Sequence, residues 1–136
     1  AEMEKRNIHL QQKYAEIEEK EVRYEEIHCD DAEYLIVAFG SCARIAQKAM
    51  EEARAEGIKV GLLRPITLWP FPSKAIAERS RQVKGILTVE LNAGQMVEDV
   101  RLAVECKVPV EYFGRLGGIV PDPDEVVTAL KEKIIK

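Results

Sequence analysis

A chain of 136 residues, 46% hydrophobic and 32% charged, has room for one domain with a self-sufficient core and the balance of an ordinary globular protein. A formal net charge of -4 excludes the basic excess of a nucleic-acid binder, and three scattered cysteines without a C-x-x-C pair exclude a disulfide framework. No apolar run approaches membrane-spanning length and no signal peptide is visible, so the expectation is a cytoplasmic protein without a membrane partner.

The charge is unevenly placed. Residues 1–33 hold 11 acids and 5 bases, net -6, which leaves 13 acids and 15 bases for the remainder. A highly charged leader on a nearly neutral body reads as a solvated arm or connector. Met3, Leu10, Tyr14 and Ile17 recur at helical spacing, which predicts an amphipathic helix over residues 2–20 with one narrow buried face. The chain opens inside that pattern without an initiator Met, as expected of a piece of a longer polypeptide. Residues 22–27 alternate imperfectly and suit an edge strand, and Asp30-Asp31 then punctuates the chain. The expected division is a helical connector over 1–21 and an α/β domain over 22–136.

From Tyr34 four short apolar runs follow, at 34–39, 58–63, 86–91 and 108–113. Helical patterns lie between or after them. Ala46, Ala49, Met50 and Ala53 share one face, as do Val97, Val100 and Val104, and later Val126, Leu130 and Ile134, and a shorter helix covers 73–82. Near-continuous apolar strands alternating with amphipathic helices predict a mostly parallel sheet covered on both faces. The last helix has the clearest start: Asp122 as cap, Pro123 at the first position, Glu125 as capping-box partner.

Four stretches invite a chemical reading. Phe39-Gly40-Ser41-Cys42 makes a small polar turn where a strand feeds a helix, a place that favours anions. There Ser41 is either an anion-binding residue or an N-cap, and Cys42 either an activated thiol or a small packed residue, with the cap and the packed residue preferred. Pro65, Pro70 and Pro72 stiffen a loop that carries Arg64, Trp69 and Phe71; the two rings either anchor an interface or fold back over helix ends. Glu90 ends an apolar strand where a carboxylate needs a partner; beside it Asn92 suits a cap, Gly94 a close turn, and Gln95 follows. Gly114-Arg115-Leu116-Gly117-Gly118 places Arg115 in a loop suited to a phosphate cradle or, better, to a flexible contact turn. With His9 and His28 the only histidines, no metal or nucleophile set is expected.

Asp30-Asp31-Ala32-Glu33, Phe39-Gly40-Ser41, Gly61-Leu62-Leu63-Arg64-Pro65 through Pro70-Phe71-Pro72, Glu90 through Met96 with Asp99-Val100-Arg101, and Gly114-Arg115 through Gly118 have an order and spacing that resemble one family. It is the alpha-type subunits of 2-oxoacid:ferredoxin oxidoreductases, of the 2-oxoisovalerate and 2-oxoglutarate kind, over residues 20–136. The resemblance implies a transketolase C-terminal-like domain: a three-layer α/β/α sandwich whose mostly parallel five-stranded sheet has one antiparallel strand, here 22–27. It implies a non-catalytic assembly domain, with no cofactor of its own, in an enzyme that oxidatively decarboxylates a 2-oxoacid onto coenzyme A and reduces ferredoxin. Thiamine diphosphate, magnesium and iron–sulfur clusters are then expected elsewhere in the complex, and the partners are its other domains and subunits, or a second copy. Branched-chain 2-oxoacids are favoured over 2-oxoglutarate. The rival classes are a free-standing flavodoxin-like ligand or phosphate module and a thiol enzyme using Cys42.

Overall fold

Successive residues of a strand face opposite sides, so the run Leu35-Ile36-Val37-Ala38 can be apolar throughout only if both sides are covered. A computed structural model, which describes all 136 residues, shows that covering. The elements are α1 (Glu2–Lys20), β1 (Tyr24–Ile27), β2 (Tyr34–Ala38), α2 (Ser41–Ala55), β3 (Val60–Pro65), α3 (Ser73–Ser80), β4 (Ile86–Glu90), α4 (Met96–Val104), β5 (Val110–Gly114) and α5 (Pro123–Leu130). A π-helical turn, Lys131–Ile135, continues α5. No helix is long and apolar enough to cross a membrane.

The sheet has the order β1-β3-β2-β4-β5, and β1 is its antiparallel member, with Tyr24 opposite Pro65 and Ile27 opposite Leu62. Ile36 and Ala38 join the core under α2 and α5, whereas Leu35 and Val37 join the core under α3 and α4. The result is the expected three-layer sandwich. The small residues Ala43, Ala46, Ala49 and Ala53 let α2 lie close on the sheet, and all are buried.

Three expectations need correction. α1 forms over the expected residues but buries none of them: Met3 is 79% exposed, and Leu10 and Ile17 are only half-buried. A lone helix stripe is covered only if a second element lies along it, and here the segment around Trp69 faces only the second half of α1, with the Trp69 and Tyr14 ring centroids 6.1 Å apart and edge-on. β3 runs two residues later than the apolar run, because the Ile58 amide bonds back to Ala53 while β1 supplies partners for Arg64 and Pro65. β2 and β4 stop one residue short of Phe39 and Leu91, which are left exposed.

Charge pins the amino end of the parallel strands. Arg54 grips Asp31 through two bonds (2.7 and 3.1 Å) and also donates to the carbonyls of His28 and Val60. Arg79 spans Glu26 (2.5 Å) and Asp30 (3.1 Å), and Lys84 meets Glu33. The Arg54 guanidinium bonded to Asp31 holds that carboxyl below its usual range. Gly61 is required here: a Cβ would sit 2.9 Å from the His28 carbonyl oxygen and 3.0 Å from Cys29 Cα.

Candidate functional site at the carboxyl edge of the sheet

From β2 the chain turns toward β3 on one side, and from β4 it turns toward β5 on the other, with α2 and α4 on opposite faces. The crevice between the carboxyl ends of β2 and β4 is therefore the topological switch point, where ligands settle in open α/β sheets. A half-open cleft of about 320 Å³ lies there. It gathers Ser41 and Cys42 from one turn with Glu90, Asn92 and Gln95 from the other, and Phe39 and Leu68 form part of its wall.

The two helix starts facing this cleft are built differently. At the β2–α2 turn Gly40, not Ser41, is the N-cap, with φ 62 and ψ -133, a conformation essentially restricted to glycine. Ser41 is already helical and exposed, so its hydroxyl caps nothing. Cys42 is buried beneath it, and burial followed by the charge of Glu90 raises its thiol pKa. Such a thiol is protonated at neutral pH and is no activated nucleophile.

At the β4–α4 turn the cap is Glu90, not Asn92. The Glu90 carboxylate, 5% exposed, accepts from the amides of Gln95 (3.0 Å), Met96 (2.7 Å) and Val97 (3.0 Å). The partner that a buried carboxylate needs is thus a helix N-terminus, with its unpaired amides and positive dipole end. Asn92 instead closes a local turn: its Oδ1 accepts from the Gly94 amide at 2.8 Å, and its carbonyl accepts from the Tyr112 hydroxyl. The sequence signal was present in Glu90 standing six residues before Met96, but separation alone does not say that the chain folds back.

The other candidates lie on either side. Arg64 donates to Glu25 at 3.3 Å, and its Nε is buried without a partner. Thr67 braces the proline-rich loop, accepting from the Arg23 amide (3.0 Å) and donating to the Pro70 carbonyl (2.6 Å). The two rings of that loop part company. Trp69 is 57% exposed, while Phe71 is half-buried and packs on the α3–α4 core. Arg115 is drawn to Glu125 on α5, which aims it away from a phosphate cradle in its own loop. Glu125 also accepts from the Asp122 amide, so the predicted box at the start of α5 is present in part through this residue.

Reading single motifs missed a pattern. Of the thirteen large hydrophobic side chains left exposed, three lie on α1, one on α4, and the other nine along this edge. Each strand end contributes: Tyr24 at β1, Ile66, Leu68 and Trp69 after β3, Phe39 after β2, Leu91 after β4, and Leu116, Ile119 and Val120 after β5. The signal that marks them is a large apolar residue in the segment after each parallel strand, with Tyr24 at the start of the antiparallel one.

Residues 32–126 match the family described as pyruvate:ferredoxin oxidoreductase core domain II. The ketoisovalerate oxidoreductase subunit VorB of Methanothermobacter thermautotrophicus is 50% identical over 131 residues, 96% of this chain and 37% of that protein. The 2-oxoglutarate synthase subunit KorA of Methanothermobacter marburgensis is 33% identical over 101 residues, 74% of this chain and 27% of its own length. The chain thus spans 37% of the length of one of these relatives and 27% of the other. Among solved structures, a 2-oxoglutarate:ferredoxin oxidoreductase from Magnetococcus marinus, with 2-oxoglutarate, coenzyme A and succinyl-CoA bound, superposes with a TM-score of 0.72 at 26% identity, over 82% of this chain and 19% of that one. A split-gene transketolase, described as an inactive beta4 tetramer, reaches the same TM-score over 83% of this chain and 41% of its own; at 22% identity it shows the fold alone.

Proposed function

The chain belongs to the pyruvate:ferredoxin oxidoreductase core domain II family, and from that membership we propose that it is the non-catalytic assembly domain of a thiamine-diphosphate-dependent 2-oxoacid:ferredoxin oxidoreductase. The whole enzyme would decarboxylate a 2-oxoacid oxidatively, pass the acyl group to coenzyme A and the electrons to ferredoxin, and work in the cytoplasm. The greater identity to the ketoisovalerate relative favours a branched-chain substrate over 2-oxoglutarate. Residues 1–21 serve as its helical connector.

The observation that carries this reading is the state of the carboxyl edge. Its buried carboxylate caps a helix, its arginines meet glutamates of the same chain, and its Trp points outward. Nothing there is poised to move a proton or attack a substrate. Nor do the residues fit the enzyme's cofactors. No three metal-ligating side chains converge, and Cys29 and Cys42 lie in opposite cores with Cys106 on the surface. On this reading the diphosphate, its magnesium and the clusters would sit in other parts of the enzyme.

Trp69→Ala in the full-length subunit is the test. Truncating an exposed aromatic anchor should weaken assembly by about 2–4 kcal/mol and change the domain's own stability by less than about 1 kcal/mol. Phe71→Ala should do the reverse, since that ring already packs within the domain. Unchanged assembly with Trp69→Ala would count against the reading, and so would micromolar binding of thiamine diphosphate with magnesium to the purified chain.

The cleft itself supports a second reading, a small-ligand or phosphate module. Calorimetry with inorganic phosphate and with diphosphate checks it, and heat lost on Gly40→Ala would favour it.

A further inference from the structure

We infer that the entire carboxyl edge of the sheet, from Tyr24 to the 116–120 loop, is one apolar docking rim for a neighbouring domain of the same oxidoreductase subunit, and that the face it meets is apolar and uncharged. The inference rests on the assembly reading and extends it beyond the Trp69 loop.

The rim is continuous. Neighbouring strands lie about 4.8 Å apart, so five strand ends span roughly 20 Å. Phe39, Leu68 and Leu91 meet around one cleft, although they follow three different strands. The Arg115 amide donates to the Glu90 carbonyl at 3.3 Å, which ties the end of β5 to the end of β4. The glycine-rich loop beyond is held from below by the Arg115–Glu125 pair and the buried Pro121. It presents Leu116, Ile119 and Val120 at 59–60% exposure. An apolar patch of this extent marks an interaction surface.

Charge identifies the kind of partner. Three charged residues at the strand ends already have partners within the chain: Arg64 meets Glu25, Glu90 the α4 amides, and Arg115 Glu125. These three ask for no counter-charge from a partner. Length identifies which partner. In the relatives this region is 37% or less of one polypeptide, so the remaining domains are covalently tethered nearby. Tethering supplies an effective concentration in the millimolar range, enough for a modest apolar patch to stay docked.

The test uses the assembled full-length oxidoreductase. Amide exchange is followed at Leu68 and Trp69, past the amides of Ile66 and Thr67 that bond to the Arg23 carbonyl, and over residues 116–120, where the only backbone bond within the loop is a long one from Ile119 to Leu116. Uncovered, such loops exchange within seconds; covered, they should be slowed at least about a hundredfold. Leu116→Glu with Ile119→Glu should release both loops, while Leu102→Glu, on the exposed face of α4, should release neither. Raising salt from about 0.05 to 0.5 M should leave the protection in place, because no ion pair crosses the contact. Fast exchange in an assembled, active enzyme overturns the rim and leaves the assembly reading standing. Protection lost in high salt overturns the uncharged partner. Protection that depends on protein concentration, with cross-links between two copies of the rim, replaces the tethered domain by a second copy. Absence of 2-oxoacid:ferredoxin activity in the full-length enzyme would strike the functional reading instead.

Discussion

The two ends of this sheet are made from opposite chemistry. At the amino end Arg54, Arg79 and Lys84 tie the turns together, and none of the thirteen exposed large hydrophobic residues lies in those turns. At the carboxyl end the buried Glu90 carboxylate, Thr67 and the Arg64–Glu25 and Arg115–Glu125 pairs hold the turns, yet nine such residues face outward. An end whose turns expose no large apolar side chain is satisfied within the domain. An end that leaves apolar surface in water is satisfied only by something else. The difference teaches that the stretches most typical of the family divide between the two tasks: Asp30 through Glu33 closes the fold, and the segments after β3 and β5 face outward.

The largest effect should come from Glu90, where the two chemistries meet. Glu90→Ala leaves three amides at the start of α4 without their acceptor. Hydrogen bonds to a charged group are worth about 1.5–3 kcal/mol, so we expect a loss of about 3 kcal/mol in urea unfolding. Glu90→Gln, which keeps one acceptor, should recover about half of it. A loss below about 1 kcal/mol would mean that the carboxyl end does not depend on this cap.

Arg79 probes the other end. It meets Glu26, Asp30 and the Cys29 carbonyl, and its hydrogen bond to Glu26 chiefly raises its pKa. Arg79→Ala should destabilise the domain by about 1–2 kcal/mol, since these groups are partly solvated. It should leave assembly of the oxidoreductase untouched. Weaker assembly at equal stability would blur the distinction between the ends.

A smaller effect is expected from acid. Asp31 has a depressed pKa in the folded state, so its contribution is fully present above its unfolded pKa and is lost as pH falls through the folded one. The stability gap between the wild type and Asp31→Asn should thus be constant above about pH 4 and close below it. A gap that instead closes between neutrality and pH 5 would point to another group.

Least of all should depend on the thiols. Cys106 is exposed, whereas Cys42 is buried at the carboxyl end and Cys29 at the amino end, where burial pushes its pKa up to about 11. Alkylation at neutral pH should label Cys106 first, with the other two at least about tenfold slower. Rapid labelling of Cys42 would reopen the thiol-enzyme alternative.

Much of the fold was legible because its signals are local. Apolar runs of strand length, helical spacings, and the Asp122-Pro123-Glu125 start each depend on neighbours a few residues apart, and the five strands and five helices lie where those signals place them, to within two residues at most ends. The antiparallel place of β1 came from the family resemblance, since four residues of mixed pattern do not choose their own direction. The candidate site was legible as a set of turns and not as a geometry. Ser41 and Asn92 look like caps by type, but whether a side chain reaches an amide depends on backbone torsions, and at Gly40 and Gly94 these are special.

By itself the sequence determined the class of the protein, its layers and its family, because periodicity, composition and motif order are properties of the chain. Only the tertiary structure decided that Glu90 caps α4, that Trp69 and Phe71 face different ways, and that Phe39, Leu91 and Leu116 share one edge with Trp69. The physical reason is that exposure is not a property of a residue. A strand that buries its apolar side chains and the residue just past its end read alike in one dimension, and only the packing of five strands into one sheet brings their ends onto a common surface.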